Sequence, residues 1–242
     1  MGQMLFRRGP AGPDPRGRPS PPLSSVGRSL LGRRPFLATP LLAATSLAAC
    51  GQDPKWHNVD VSGTFPPLAF AMQRAGDGRE VTEADYRDRV DLLYFGYTNC
   101  PDVCPTTLSN MATVFKGLGP LAHRVTMFFV TVDPNRDTLP ILARYVALFA
   151  PEIVGLRGTP DQLATLARRY RVAYSVTPAT KTTPYQVSHS AAIYVFDKQG
   201  ACRLIIPSMA SRSPDIAGTV ADLKTLAIEP PPGLLTRLLH SI

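Results

Sequence analysis

Apolar positions along the chain fall into short runs, separated by joints marked with Gly and Pro. Val90–Phe95 is a compact apolar run, the pattern of a strand buried on both faces. Val125–Val132 is a second, strongly β-forming run. Between them, Leu108, Met111, Val114 and Phe115 recur close to helical spacing, which predicts a helix over Thr106–Leu118, stopped by Gly119 and Pro120. A first strand is predicted over Phe65–Met72, then a turn at Gly76–Gly78 and a short strand at Arg79–Thr82. Thr138–Phe149 reads as a helix and Ile153–Leu156 as a short strand. Thr159, Pro160 and Gln162 form a capping-box pattern that opens a helix to Tyr170. Residues 176–188, with Pro178 and Pro184, read as a loop. Ala191–Phe196 and Cys202–Ile206, joined by a turn at Lys198–Gly200, read as a hairpin, and Ser213-Pro214 opens a last helix to about Leu226. A short helix is predicted over Leu234–Ile242.

This order is a β-hairpin, a βαβ unit, two helices with a strand between them, then a second hairpin and a helix. A βαβ unit pairs its strands in parallel with a right-handed crossover. The expected class is therefore α/β: a thioredoxin-like fold with a central mixed sheet flanked by helices and an N-terminal β-hairpin. Residues 65–227 form that domain, and 228–242 form a C-terminal tail. The 242 residues, 44% of them apolar, suffice for one packed domain with extensions.

The net charge of +8 is unevenly placed. Residues 1–34 hold seven arginines and one acid, so most of the excess sits ahead of the domain. No basic patch for nucleic acid is indicated. Arg33 and Arg34 precede an uncharged apolar run of about 14 residues, Phe36–Ala49, which is shorter than the ~20 residues of a membrane-spanning helix. A positive flank, a short apolar stretch and small residues before a cut describe an export signal over residues 1–49. The ending Leu47-Ala48-Ala49-Cys50 resembles the lipobox of bacterial lipoproteins, and Arg33-Arg34 resembles a twin-arginine signal. Cys50 is then the lipidation site and residues 50–64 a tether. The expected location is the bacterial cell membrane, lipid-anchored and facing the periplasm, a compartment where thiols tend towards disulfides.

Cys100 and Cys104 lie just past the first buried strand, at the mouth of the first predicted helix. In open α/β sheets sites form beyond the carboxyl ends of strands. Spaced i, i+4 on a helical turn, the two share a face with Cα atoms about 6 Å apart, within disulfide range. The helix N-terminus is expected to favour thiolate and lower the thiol pKa. Two thiolates with one imidazole suit Cu(I) and also accept Cu(II), whereas zinc wants a fourth ligand. Cys202 is expected to be a core residue. Of the four histidines, His57 falls in the tether, His123 in a loop and His240 in the tail. His189 ends the long loop, opposite the first helix's N-terminus in a thioredoxin-like fold. The pair can hold a metal, cycle as dithiol and disulfide, or attack peroxide. For peroxide, Thr98 stands two residues before Cys100 with no obvious arginine partner.

Four segments carry a family resemblance: Tyr94–Thr106 (YFGYTNCPDVCPT), Val132–Thr138 (VDPNRDT), Gly155–Pro160 (GLRGTP) and His189-Ser190. Together they resemble the Sco/SenC family, over about Phe65–Ala227. The resemblance implies a membrane-tethered copper metallochaperone that helps assemble the binuclear copper centre of cytochrome c oxidase. It implies Cys100 and Cys104 as thiolate ligands and His189 as the imidazole ligand. The implied partners are the oxidase's copper-site subunit, with other copper chaperones or thiol reductases. The alternative is an extracytoplasmic thiol–disulfide oxidoreductase acting on that subunit's cysteines. Asp133 lies in the family's Asp-Pro-x-Arg-Asp-Thr segment and reads as a turn and helix-cap residue. The chain departs from the family in two ways. Ser188 stands where many members have Asp before the histidine, and the anchor is a lipid rather than a transmembrane helix.

Overall fold

A computed structural model describes residues 55–182, 185–207 and 209–230. Cys50, the leader, His240 and the helix expected over Leu234–Ile242 lie outside the described residues. In chain order the strands and helices are β1 (Val59–Asp60), β2 (Ala71–Arg74), β3 (Glu80–Thr82), β4 (Val90–Gly96), α1 (Val103–Leu118), β5 (Val125–Thr131), α2 (Leu139–Ala147), β6 (Ile153–Arg157), α3 (Pro160–Arg169), β7 (Tyr174–Thr177), β8 (Gln186–His189), β9 (Ile193–Phe196), β10 (Cys202–Ile206) and α4 (Ile216–Ile228).

Eight strands form one mixed sheet in the order β1-β10-β9-β4-β5-β6-β2-β3. β4, β5 and β6 run parallel; the flanking pairs are antiparallel. Every residue of β4 and β5 is buried, which explains their near-continuous apolar sequence. α1 and α4 lie side by side, so close that a Cβ on Gly117 would fall 2.8 Å from Val220. The expected capping box of α3 is present: Gln162 N donates to Thr159 Oγ1 at 3.2 Å, and Thr159 N to Gln162 Oε1 at 2.8 Å. Among the described residues no helix is long and apolar enough to cross a membrane.

Four segments differ from the sequence reading. The strand expected over Phe65–Met72 is confined to Ala71–Arg74. Pro66 and Pro67 have no amide to give, and the next three amides are taken by Gly200 O, Tyr170 Oη and Glu83 Oε2. The helix expected from Thr106 starts at Val103, because Pro105 is compatible with a first turn that needs no donor there. The stretch read as a loop folds back as a separate two-stranded sheet, β7–β8, with Tyr174 opposite His189 and Thr177 opposite Gln186.

The segment read as a tether is in fact docked from Trp56 onward. Val59 pairs with Ile205 of β10, and Trp56 packs against the core. The amides of His57 and Asn58 donate to the carboxylate of Asp222 in α4 at 2.8–3.1 Å, and the imidazole of His57 meets it at 3.0 Å. Burial works against ionising Asp222, but these donors hold its carboxyl below the usual range.

One buried group has no such support. Asp91 in β4 is 4% exposed and its Oδ1 has no hydrogen-bond partner. Burial lifts its carboxyl to about 8, opposed only by the charge of Arg89.

Candidate metal centre

The site grows from the carboxyl end of β4. Gly96 leaves room there: a Cβ would lie 2.6 Å from the Phe129 ring and 3.0 Å from Cys104 Sγ. The chain then turns through Thr98, whose amide and hydroxyl both donate to Asp137, at 3.0 and 2.6 Å. This anchors the loop that delivers Cys100. Cys104 follows in the first turn of α1, fully buried, while Cys100 is half-buried at the rim. Both are free thiols. The amide of Cys104 points at Cys100 Sγ, 3.4 Å away, so the helix's first turn presents a donor to the outer sulfur.

The electrostatics differ from the expectation for the inner sulfur. Helix-end polarity was expected to lower the thiol pKa, yet burial pushes the Cys104 thiol up to about 12. Desolvation of a fully buried thiolate outweighs a partial charge. A metal binding there must displace a proton.

His189 is the last residue of β8, where the hairpin brings its ring over the mouth of α1. Nδ1 lies 2.9 Å from Ser190 O, which assigns its proton to that bond and leaves Nε2 as an acceptor. Nε2 accepts from the Cys104 thiol at 3.2 Å, the proton that a bound metal replaces. Burial lowers the imidazole's pKa and favours the neutral ring that binds metals. The rings of Tyr94 and Tyr97 stand nearly perpendicular to the imidazole, at 78° and 87°, with centroids 5.9 and 5.8 Å away.

Cys100 Sγ, Cys104 Sγ and an imidazole nitrogen of His189 thus lie within 4.8 Å of one another, and together they can hold a metal ion. They form the one such group among the described residues. A cleft of about 270 Å³, lined by Tyr97, Cys100, Pro101, Val187 and His189, opens onto Cys100 and His189, while Cys104 stays buried. The other candidates lie apart. Cys202 is in the core in β10, as expected; His123 is exposed, and His57 is paired with Asp222. Ser188 bonds Ser175 across the hairpin at 2.8 Å, so no carboxylate stands beside the imidazole on that side.

Asp133 makes a turn, as expected, its carbonyl accepting from the Arg136 and Asp137 amides, but its side chain caps no helix. The carboxylate is 1% exposed and accepts from Tyr185 Oη at 2.7 Å, with Arg136 Nε on its other oxygen. Sequence reasoning did not single out Asp137 or Tyr185. The available signal was a pair of acids, four apart, directly after an apolar strand.

A family model described as SCO1/SenC matches residues 70–225. The chain is 44% identical over 197 residues to the mitochondrial protein SCO2 homolog of Bos taurus, covering 75% of this chain and 74% of that protein. It is 42% identical to the Mus musculus homolog over 125 residues, 51% of this chain, and there spans about half of the relative's length (49%). Among solved structures, Bradyrhizobium japonicum ScoI with copper bound is similar at a TM-score of 0.58 and 33% identity, over 66% of this chain and 98% of that one. Yeast Sco1 with copper bound is similar at 0.59 and 28%, over 71% and 95%. The fold is thioredoxin-like, as expected. The cysteine pair, its facing histidine and the sheet that carries them all fall within or directly against the matched segments, and the chain belongs to the SCO1/SenC family.

Proposed function

We propose that this protein is a copper metallochaperone, binding one copper ion through Cys100, Cys104 and His189 and delivering it to the binuclear copper site of cytochrome c oxidase. The observation that carries the reading is the convergence of two sulfurs and one unprotonated imidazole nitrogen, with Cys100 and His189 lining an open cleft and no fourth His, Cys, Asp or Glu grouped with them among the described residues. Soft thiolates with one imidazole suit Cu(I) and tolerate Cu(II), and a closed zinc site would want a fourth ligand. Copper is cargo here. An open face lets an acceptor's ligand enter before the donor's ligands leave, which a closed cage prevents.

The anchoring reading belongs with it: Cys50 is lipidated and the domain faces the periplasm.

The thiol–disulfide alternative uses the same two sulfurs. It needs the two thiols but not the imidazole, whereas here an imidazole nitrogen of His189 lies within 4.8 Å of both sulfurs. Peroxide chemistry is disfavoured because the Thr98 hydroxyl is already committed to Asp137.

The test is transfer. Copper-loaded protein, mixed with the reduced, metal-free copper-site domain of the oxidase subunit, is expected to lose its copper to that domain. Copper retained by the donor would overturn this reading; in a parallel mixture of metal-free dithiol protein with the oxidised acceptor domain, reduction of the acceptor's disulfide with formation of a Cys100–Cys104 disulfide would establish the redox reading.

A further inference from the structure

The turn after β5 touches both halves of the site. On one side the Asp137 carboxylate accepts from the Thr98 amide and hydroxyl, two residues before Cys100. It also accepts from Thr131 Oγ1 at 2.5 Å, which ties it to the end of β5. On the other side Asp133 accepts from the hydroxyl of Tyr185, four residues before His189. The Arg136 guanidinium stacks over the Tyr185 ring, 3.8 Å from its centroid, while its Nε reaches Asp133. The turn is itself pinned: Asp133 N donates to Thr131 Oγ1 at 3.0 Å, and Arg157 donates two bonds to Pro134 O at 2.9 and 3.1 Å.

The hairpin that carries His189 needs such a hold. β7 and β8 pair only with each other and share no ladder with the eight-stranded sheet. Two other hydrogen bonds tie the hairpin to the cysteine side, and both are weak: Tyr97 Oη to Val187 O spans 3.4 Å, and the contact of Cys104 Sγ with His189 Nε2, at 3.2 Å, is a thiol's. A buried carboxylate accepting from a phenol at 2.7 Å is the strongest such tie.

We infer that Asp133, Arg136 and Tyr185 form a brace, continuous with Asp137, that sets the position of His189 relative to the two cysteines, so that Tyr185 is a positioning residue for the metal site. This rests on the copper-ligand reading above for its consequence, but not for its structural content. The brace acts on the metal-free protein: it preorganises the imidazole and so lowers the ordering cost of closing the three-ligand set.

The test compares the full-length reduced protein with Tyr185→Phe, which keeps the ring that Arg136 stacks on and removes only the hydroxyl. In metal-free protein, amide hydrogen exchange over Val187–Ser190 is expected to speed about tenfold, the size of one lost charge-assisted hydrogen bond. Exchange in β4 and β5 should not change. Cu(I) affinity, measured by competition with a chromophoric chelator, is expected to fall by a similar factor. In a His189→Ala background the same substitution should leave affinity unchanged, because the brace acts through that ring. Unchanged exchange at the hairpin overturns the brace, whatever copper does. An equal loss of affinity in the His189→Ala background also overturns it. Faster exchange in Tyr185→Phe with full copper affinity in His189→Ala leaves the brace standing and removes the histidine from the ligand set.

Discussion

Cys104→Ser is expected to lose Cu(I) affinity by more than about 100-fold while the protein stays folded. Disturbing a residue that merely orients a metal ligand typically costs 10–100-fold, and a lost thiolate should exceed that. The serine hydroxyl is hard, stays protonated and is a poor match for Cu(I). Cys104 Sγ also stands 3.2 Å from His189 Nε2, so its loss removes the sulfur that meets the imidazole directly. Cys100→Ser should behave similarly, from the rim. Chelator competition measures both, with circular dichroism to check folding. Affinity within a few-fold of the parent protein in a folded Cys104→Ser variant would exclude the buried sulfur as a ligand.

The second large effect concerns stability and lies away from the site. Asp91→Asn is expected to stabilise the protein by about 6 kcal/mol at pH 9 and by little at pH 4. The sign follows from the carboxyl's shift. In the unfolded chain it ionises near 3.8, and in the fold it holds its proton to about 8. Below pH 4 both states carry the proton and the acid costs nothing. As pH rises the unfolded chain ionises first, so folding loses stability progressively until about pH 8 and then levels off. Asparagine does not titrate, so its advantage should grow over that window. Denaturant unfolding of both proteins at pH 4, 7 and 9 measures it. A difference that does not vary with pH would mean that Asp91 ionises normally, with its Oδ1 solvated rather than buried and unpartnered.

The legible parts of this protein were those written in short stretches of chain. β4 and β5 are apolar throughout because both faces are covered, and that is visible in seven consecutive residues. Cys100 and Cys104 are a local pair, and their place at a strand-to-helix junction followed from the flanking pattern. What could not be read depends on partners far along the chain. His57 and Asn58 look like tether residues until Asp222, about 165 positions away, receives their amides. Tyr185 and Asp133 are 52 positions apart, and neither residue's neighbours announce the other. The β7–β8 hairpin was hidden by its short strands and by Pro178 and Pro184, although its inward and outward positions do alternate. The Cys104 thiol was misjudged in direction because helix polarity is local, whereas burial is a property of the assembled fold.

The central claim is that copper sits on two sulfurs and one imidazole nitrogen. X-ray absorption at the copper edge, on reduced protein loaded with one equivalent of Cu(I), tests it most directly. Two sulfur scatterers and one imidazole are predicted, with the imidazole contribution absent from His189→Ala. A shell of sulfur alone, or a spectrum identical in the two proteins, would contradict it.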